Sequence, residues 1–226
     1  MPMNYAVLTS RAVTSAPAAT LVSVEIEGPA GFLEGLLRSP AVPAGAAVVA
    51  HPHPRHGGTM HTKVVHRAAR ILSGRFSLAA LRFNFRGVGA SAGSYDEGRG
   101  ETEDVVAAGT WLRRRQPKGP FVLSGFSFGS VCALHAAARL APDVLFLIGL
   151  PVDRWDGAAP AAQPWRVVWV QGEADEFSPP EKARAIAAAR GWTFLSVAGS
   201  DHFFAGKLDA FEKVAGDTLE KALRGS

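Results

Sequence analysis

The stretch Phe121-Val122-Leu123-Ser124-Gly125-Phe126-Ser127-Phe128-Gly129-Ser130-Val131 decides the fold. It opens with a short apolar run and turns through Gly125-Phe126-Ser127-Phe128-Gly129. It then enters an Ala-rich segment, Val131 to Leu140, with the composition of a buried helix. A G-x-S-x-G pentapeptide between a strand and a helix is the pattern of a nucleophile elbow. The chain reverses so sharply there that flanking side chains would collide, and glycine at both ends removes the Cβ atoms that would clash. The serine is left at the tip with its hydroxyl exposed. Taken alone, the pentapeptide is equally an ordinary Gly-flanked turn, so its meaning rests on what surrounds it.

Upstream, Leu21 to Glu27 alternates apolar and polar residues as a half-buried strand does. Gly28-Pro29-Ala30-Gly31 is a turn, and Phe32 to Arg38 reads as the second strand of an antiparallel hairpin. Ala46 to Ala50 is a continuous apolar run, the signature of a strand covered on both faces. Lys63 to Leu72 has helical spacing, with Val65, Ala68, Ala69 and Leu72 on one face. A strand from Leu78 to Phe85, a Gly-rich loop to Gly100 and a helix from Glu101 to Arg115 follow, the helix with Val105, Ala108 and Leu112 inward.

Downstream, Val144 to Ile148 and Val167 to Val170 read as buried strands and Thr193 to Val197 as a last short one. Ser178-Pro179-Pro180-Glu181 has the form of a capping box opening a helix that ends before Gly191. Lys207 to Leu223 is amphipathic, with Leu208, Phe211, Ala215 and Ala222 inward. Strands alternating with helices after one hairpin predict an α/β protein with a mostly parallel sheet covered on both faces. No boundary divides the chain, so residues 1–226 are expected to form one domain, with residues 1–20 loosely ordered. About sixteen residues, 150–165, separate two of the strands, too few for a lid.

The chain has 226 residues, 47% of them hydrophobic and 19% charged, with a formal net charge of +4. That composition is ordinary for a globular chain. The basic residues are dispersed, and the one run, Arg113-Arg114-Arg115, falls at a helix end where cations offset the helix dipole. It reads as a solvated helix end, and no nucleic-acid partner is expected. The single cysteine, Cys132, lies within the apolar helix and is expected to be a buried structural thiol. Without a possible internal disulfide, a secretory signal or a run of ~18 apolar residues, the chain is expected to be cytoplasmic and not membrane-bound. It is expected to be a monomer or a homodimer.

A serine needs a base to take its proton and a third group to hold that base. In parallel sheets such groups gather at the carboxyl ends of strands. His202, in Gly199-Ser200-Asp201-His202, follows the last strand and is the expected base. Asp175, in the loop after the Val167 strand, is the expected acid; Glu173 and Glu176 are its rivals there, and Asp153 and Asp156 follow the preceding strand. Asp201 adjoins His202 and is excluded, because neighbours in sequence do not present side chains to each other in that geometry. The order Ser, Asp, His is the one that accompanies this elbow. An oxyanion needs two donors. The backbone N–H of Phe128 is one. In His51-Pro52-His53-Pro54 only His53 has an N–H between two prolines, so His53 is the expected second. The side chains of His51, His53 and His56 are expected to be structural.

These residues resemble the α/β-hydrolase superfamily, and more closely the small lidless bacterial serine hydrolases related to dienelactone hydrolases and carboxylesterases. The matching positions are His51-Pro52-His53-Pro54 with Gly57-Gly58-Thr59-Met60 and Lys63-Val64-Val65; Arg86-Gly87-Val88-Gly89 with Ser91 and Gly93; Gly125 to Gly129; Gly172 with Asp175; and Asp201-His202. Where dienelactone hydrolases proper carry a cysteine, this chain has Ser127. The resemblance implies a sheet of about eight strands, a Ser127-His202-Asp175 triad, and ester hydrolysis through an acyl-enzyme without a cofactor. The expected substrate is a small-molecule, short-acyl ester, with thioesters and acyl-peptides as alternatives.

Readings of other classes compete. His51, His53, His56 and His61 nearly match a zinc-hydrolase pattern, which would make a metal-dependent hydrolase, but Arg55 stands where an acid ligand belongs. Gly87-Val88-Gly89-Ala90-Ser91-Ala92 fits a dinucleotide fingerprint, yet the following helix starts too far on to receive a pyrophosphate. A catalytically silent binding protein on the same fold is the non-enzyme alternative. Phe126, Phe128, Trp155, Phe177, Phe203 and Phe204 fall in loops at the catalytic end, either as pocket lining or as core.

Overall fold

The computed structural model describes residues 19–155, 157 and 163–224. Its elements in chain order are β1 (Thr20–Gly28), β2 (Gly31–Ser39), β3 (Gly45–Ala50), α1 (Lys63–Arg75), β4 (Leu78–Phe83), α2 (Arg99–Arg115), β5 (Phe121–Phe126), α3 (Phe128–Leu140), β6 (Val144–Ile148), β7 (Arg166–Gly172), α4 (Pro180–Ala189), β8 (Thr193–Val197) and α5 (Leu208–Arg224). The strands form one eight-stranded sheet in the order β1-β2-β4-β3-β5-β6-β7-β8. The β1–β2 hairpin and the β2–β4 pair are antiparallel, and every other pair is parallel.

The side-chain period of two explains the two-sided core. From β3, Ala46, Val48 and Ala50 join Leu123 of β5 and Trp169 of β7 on the face covered by α2, α3 and α4. Ala47 and Val49, with Val122 and Phe146, pack on the opposite face against Val65 and Leu72 of α1 and Phe211 and Leu219 of α5. Strands buried on both faces must be apolar throughout, and β3, β5 and β6 are buried along their length. The strand order reverses between β3, which runs on to β4, and β5, which starts the other half. At such a reversal the connections diverge and leave a crevice beyond the carboxyl ends of the strands.

Four local expectations change. The strand at Leu78 stops at Phe83, because Asn84 turns its side chain to accept from the Met60 N–H (2.9 Å) and Phe85 donates its N–H to His51. α2 begins at Arg99: the buried Glu101 carboxylate accepts from the N–H groups of Gly98 (2.8 Å) and Asp96 (2.9 Å) and starts the helix early. No capping box forms at Ser178. α4 starts at Pro180 with Pro179 in the capping position, and the Ser178 hydroxyl is buried without a partner. Pro180 takes the first helical position, where a missing N–H leaves no donor unpaired and φ is already set for the helix. The basic run is not merely solvated, since Arg113 donates to the Leu140 carbonyl at the end of α3 (2.9 Å) and lies over the Phe121 ring.

Cys132 is buried in α3, and burial pushes its thiol far above the usual range, as expected of a structural cysteine. Among the described residues of 150–165 there is no helix or strand. The expectation for residues 1–20 falls almost wholly outside the described residues, as does Asp156. No helix among the described residues is long and apolar enough to cross a membrane.

Candidate active site

The elbow is built by two absences. A Cβ on Gly125 would fall on the backbone of Gly129 and Ser130, and one on Gly129 would lie 2.5 Å from the His51 carbonyl oxygen and 2.6 Å from that of Ala50. The start of α3 therefore presses directly on the end of β3. Between them Ser127 takes φ 54° and ψ −122°, a strained conformation for a residue with a Cβ. Its own N–H donates to the Ile148 carbonyl (2.9 Å), which pins the turn to the end of β6. Ser127 is half-buried rather than fully exposed, on the floor of a cleft of about 1300 Å³.

His202 Nε2 lies 2.9 Å from Ser127 Oγ, and His202 Nδ1 lies 2.7 Å from Asp175 Oδ2. The bond to the carboxylate fixes the proton on Nδ1, leaving the Nε2 lone pair toward the hydroxyl. Glycine again permits the approach: a Cβ on Gly172 would be 2.6 Å from the Ser200 carbonyl oxygen, so the loop after β8 crosses the end of β7 and carries His202 to Asp175. The imidazole is packed by Phe126 (5.0 Å between centroids), Phe177 (4.7 Å) and Phe203 (5.1 Å), and is itself 2% exposed.

The rival acids are occupied elsewhere. Glu173 accepts from the Gly199 N–H (2.8 Å), Glu176 from the His202 backbone N–H (3.4 Å), and Asp153 pairs with Lys182 on the surface. Asp201 caps the next turn through the Ala205 N–H (2.9 Å). Of the six aromatic residues, Phe126, Trp155 and Phe204 belong to the core, whereas Phe128, Phe177 and Phe203 line the cleft.

One residue at this site escaped the sequence reading. Gln171, fully buried at the end of β7, donates from Nε2 to Asp175 Oδ2 and accepts at Oε1 from the Trp169 indole N–H (2.7 Å). The Phe177 N–H adds a bond to Asp175 Oδ1 (2.9 Å). The carboxylate is thus held by three donors, counting His202. The signal was present in the sequence: an amide at the end of the run Val167-Val168-Trp169-Val170 has to find partners if that strand is buried.

The histidines after β3 do not converge. His51 is buried, donating from Nδ1 to the Pro52 carbonyl (2.6 Å) and accepting at Nε2 from the Phe85 N–H (3.0 Å), so both nitrogens are used. Burial lowers its pKa to about 4. His53 accepts at Nδ1 from the Arg55 N–H (3.2 Å), and its Nε2 meets the Tyr95 hydroxyl (3.2 Å). His56 stacks on His53 and His61 is exposed. The described residues contain no group of three or more His, Cys, Asp or Glu side chains placed to hold a metal ion. His53 and Phe128 line the cleft together with Ser127, and neither backbone N–H donates to a backbone carbonyl among the described residues. The Gly87 loop folds onto the hairpin: Ser91 Oγ accepts from the Glu34 N–H and donates to the Asn84 carbonyl.

An eight-stranded, mostly parallel sheet with a serine elbow at its reversal point defines a class, and sequence comparison agrees. The chain belongs to the α/β hydrolase fold family, whose sequence profile matches residues 56–211. It is 36% identical to XC6422 of Xanthomonas campestris, described as an α/β serine hydrolase without a lid, over 91% of this chain and 96% of that one, with a TM-score of 0.83. An α/β serine hydrolase homologue from Coxiella burnetii is 34% identical over 88% and 97% of the two chains, with a TM-score of 0.81. The uncharacterized protein RP471 of Rickettsia prowazekii is 32% identical over 87% of each. The protein is therefore a hydrolase by family.

Proposed function

We propose that this protein is a serine esterase that cleaves small carboxylic esters through an acyl-enzyme on Ser127. The observation that carries the reading is the continuous hydrogen-bonded chain from Ser127 Oγ through His202 to Asp175. As Oγ attacks the ester carbonyl, its proton passes to His202 Nε2, and Asp175 holds the imidazolium that forms. The N–H groups of Phe128 and His53 receive the developing oxyanion. Collapse breaks the bond to the alcohol oxygen, which leaves with the proton from Nε2. Water then attacks the acyl carbonyl, giving one proton to Nε2, which returns it to Oγ as the acid departs. No step requires a cofactor.

An ester substrate of modest size is supported by the cleft, which is open above Ser127 and bordered by the half-exposed rings of Phe177 and Phe203. A fluorophosphonate probe tests the reading. The wild type is expected to become labelled and Ser127→Ala not; equal labelling of both, or of neither, overturns it. A series of p-nitrophenyl esters of rising acyl length then measures the pocket, with kcat/KM expected to be highest for short chains.

A further inference from the structure

Beside His53 the cleft carries two arginines that no carboxylate of the described residues pairs with. Arg55 and Arg154 both line the cleft with Ser127 and His202, and both are exposed. Among the described residues neither meets a carboxylate. The two acids that line the cleft are engaged with other cations, Glu97 with Arg99 (3.5 Å) and Glu103 with Arg139. Arg55 lies over the Tyr95 ring, 5.9 Å from its centroid, and Tyr95 is bonded to His53. A guanidinium resting on a ring face keeps its N–H edges free for a planar acceptor. The two arginines bear on one point: after burial, the charges of His56, Arg55 and Arg154 hold the His53 imidazole below the usual histidine range.

We propose that Arg55 and Arg154 make the cleft selective for esters that carry a second, ionised carboxylate, an inference that rests on the serine-esterase reading above. An uncharged ester entering the cleft would strip water from two guanidiniums and return no acceptor. A carboxylate would replace that water with charge-assisted, bidentate hydrogen bonds.

Matched esters test this. Mono-p-nitrophenyl adipate and its methyl ester share the leaving group and acyl chain length and differ in one charge on the acyl side; 4-acetoxybenzoate and its methyl ester share the acetyl group and differ in one charge on the alcohol side. In the wild type the anionic member of at least one pair is expected to have the higher kcat/KM by about tenfold, the scale of one charged hydrogen bond. The preference is expected to shrink between 20 mM and 500 mM salt, both approximate settings chosen to bracket the screening range. In Arg55→Gln/Arg154→Gln the anionic-to-neutral ratio is expected to fall to near one, and in Arg154→Glu below that. Labelling of both variants by an uncharged fluorophosphonate verifies an intact elbow. If the wild type shows no anionic preference in either pair, or if the preference survives the double substitution, the selectivity proposal is overturned while the esterase reading stands. If no ester is turned over and Ser127 resists labelling, both readings fall.

Discussion

Gln171 is where a single side chain has most to do with how the site is held. It links a core indole to the carboxylate that orients His202, with both ends of its amide used. Replacing it with leucine orphans the Trp169 N–H and removes one of three donors to Asp175. Each buried polar group left without a partner costs about 1–3 kcal/mol, so Gln171→Leu is expected to lower unfolding free energy by about 2 kcal/mol in urea titration. On the proposed mechanism its kcat on p-nitrophenyl acetate is expected to fall about tenfold with KM little changed, because misorienting His202 would affect the chemical step more than binding. Trp169→Phe, which keeps the ring but loses the N–H, is expected to show a smaller effect on both. Asp175 and His202 could be picked from their order and their loops. Gln171 could not, because an amide's partners lie in space and not at a fixed spacing along the chain.

Among the elements, the elbow shows how space and conformation separate. Gly129 lies within α3 and has no positive φ, but it has no room, since its missing Cβ would meet the Ala50 and His51 carbonyls. Gly57 is the reverse: φ is +78° and nothing lies within 4 Å of where a Cβ would be. Gly129→Ala is expected to destabilise by more than about 3 kcal/mol or prevent folding, because a backbone clash inside a packed core has no small remedy. Gly57→Ala is expected to cost about 1 kcal/mol, the price of a left-handed conformation alone. Thermal melts of the two variants check the contrast. The glycines of the pentapeptide were legible as a pattern. The one-residue displacement of α4 was not, because it depends on two prolines and on a serine that tertiary packing buried.

Across the whole molecule, stability is coupled to pH through His51. Its neutral ring bridges the end of β3 to Phe85, two residues beyond β4, and its folded pKa is about 4 against about 6.5 for a free histidine. The depressed value sets the sign: above pH 6.5 both states are neutral and the full stability is present. As pH falls from 6.5 toward 4 the unfolded chain takes up a proton that the folded chain refuses, and stability is lost. The loss attributable to this ring is expected to approach about 3 kcal/mol by pH 4, at roughly 1.4 kcal/mol per unit. Urea unfolding between pH 7.5 and 4.5 checks it, and a His51→Gln variant, less stable at neutral pH, is expected to show a flatter dependence.

What the amino-acid sequence determined by itself was periodic or local: strands buried on two faces, helices with one apolar side, glycines where backbones must touch, and the order of Ser127, Asp175 and His202. These follow from the fixed geometry of strand, helix and turn, which repeats along the chain. The tertiary structure alone decided among groups of the same type. It brought Asp175 to His202 and sent Glu173, Glu176 and Asp201 to backbone N–H groups. It divided the aromatic residues between core and cleft, committed both nitrogens of His51, and left Arg55 and Arg154 at the cleft without a carboxylate partner among the described residues. Such choices turn on distances of a few ångströms between residues far apart in sequence, and residue spacing carries no record of them.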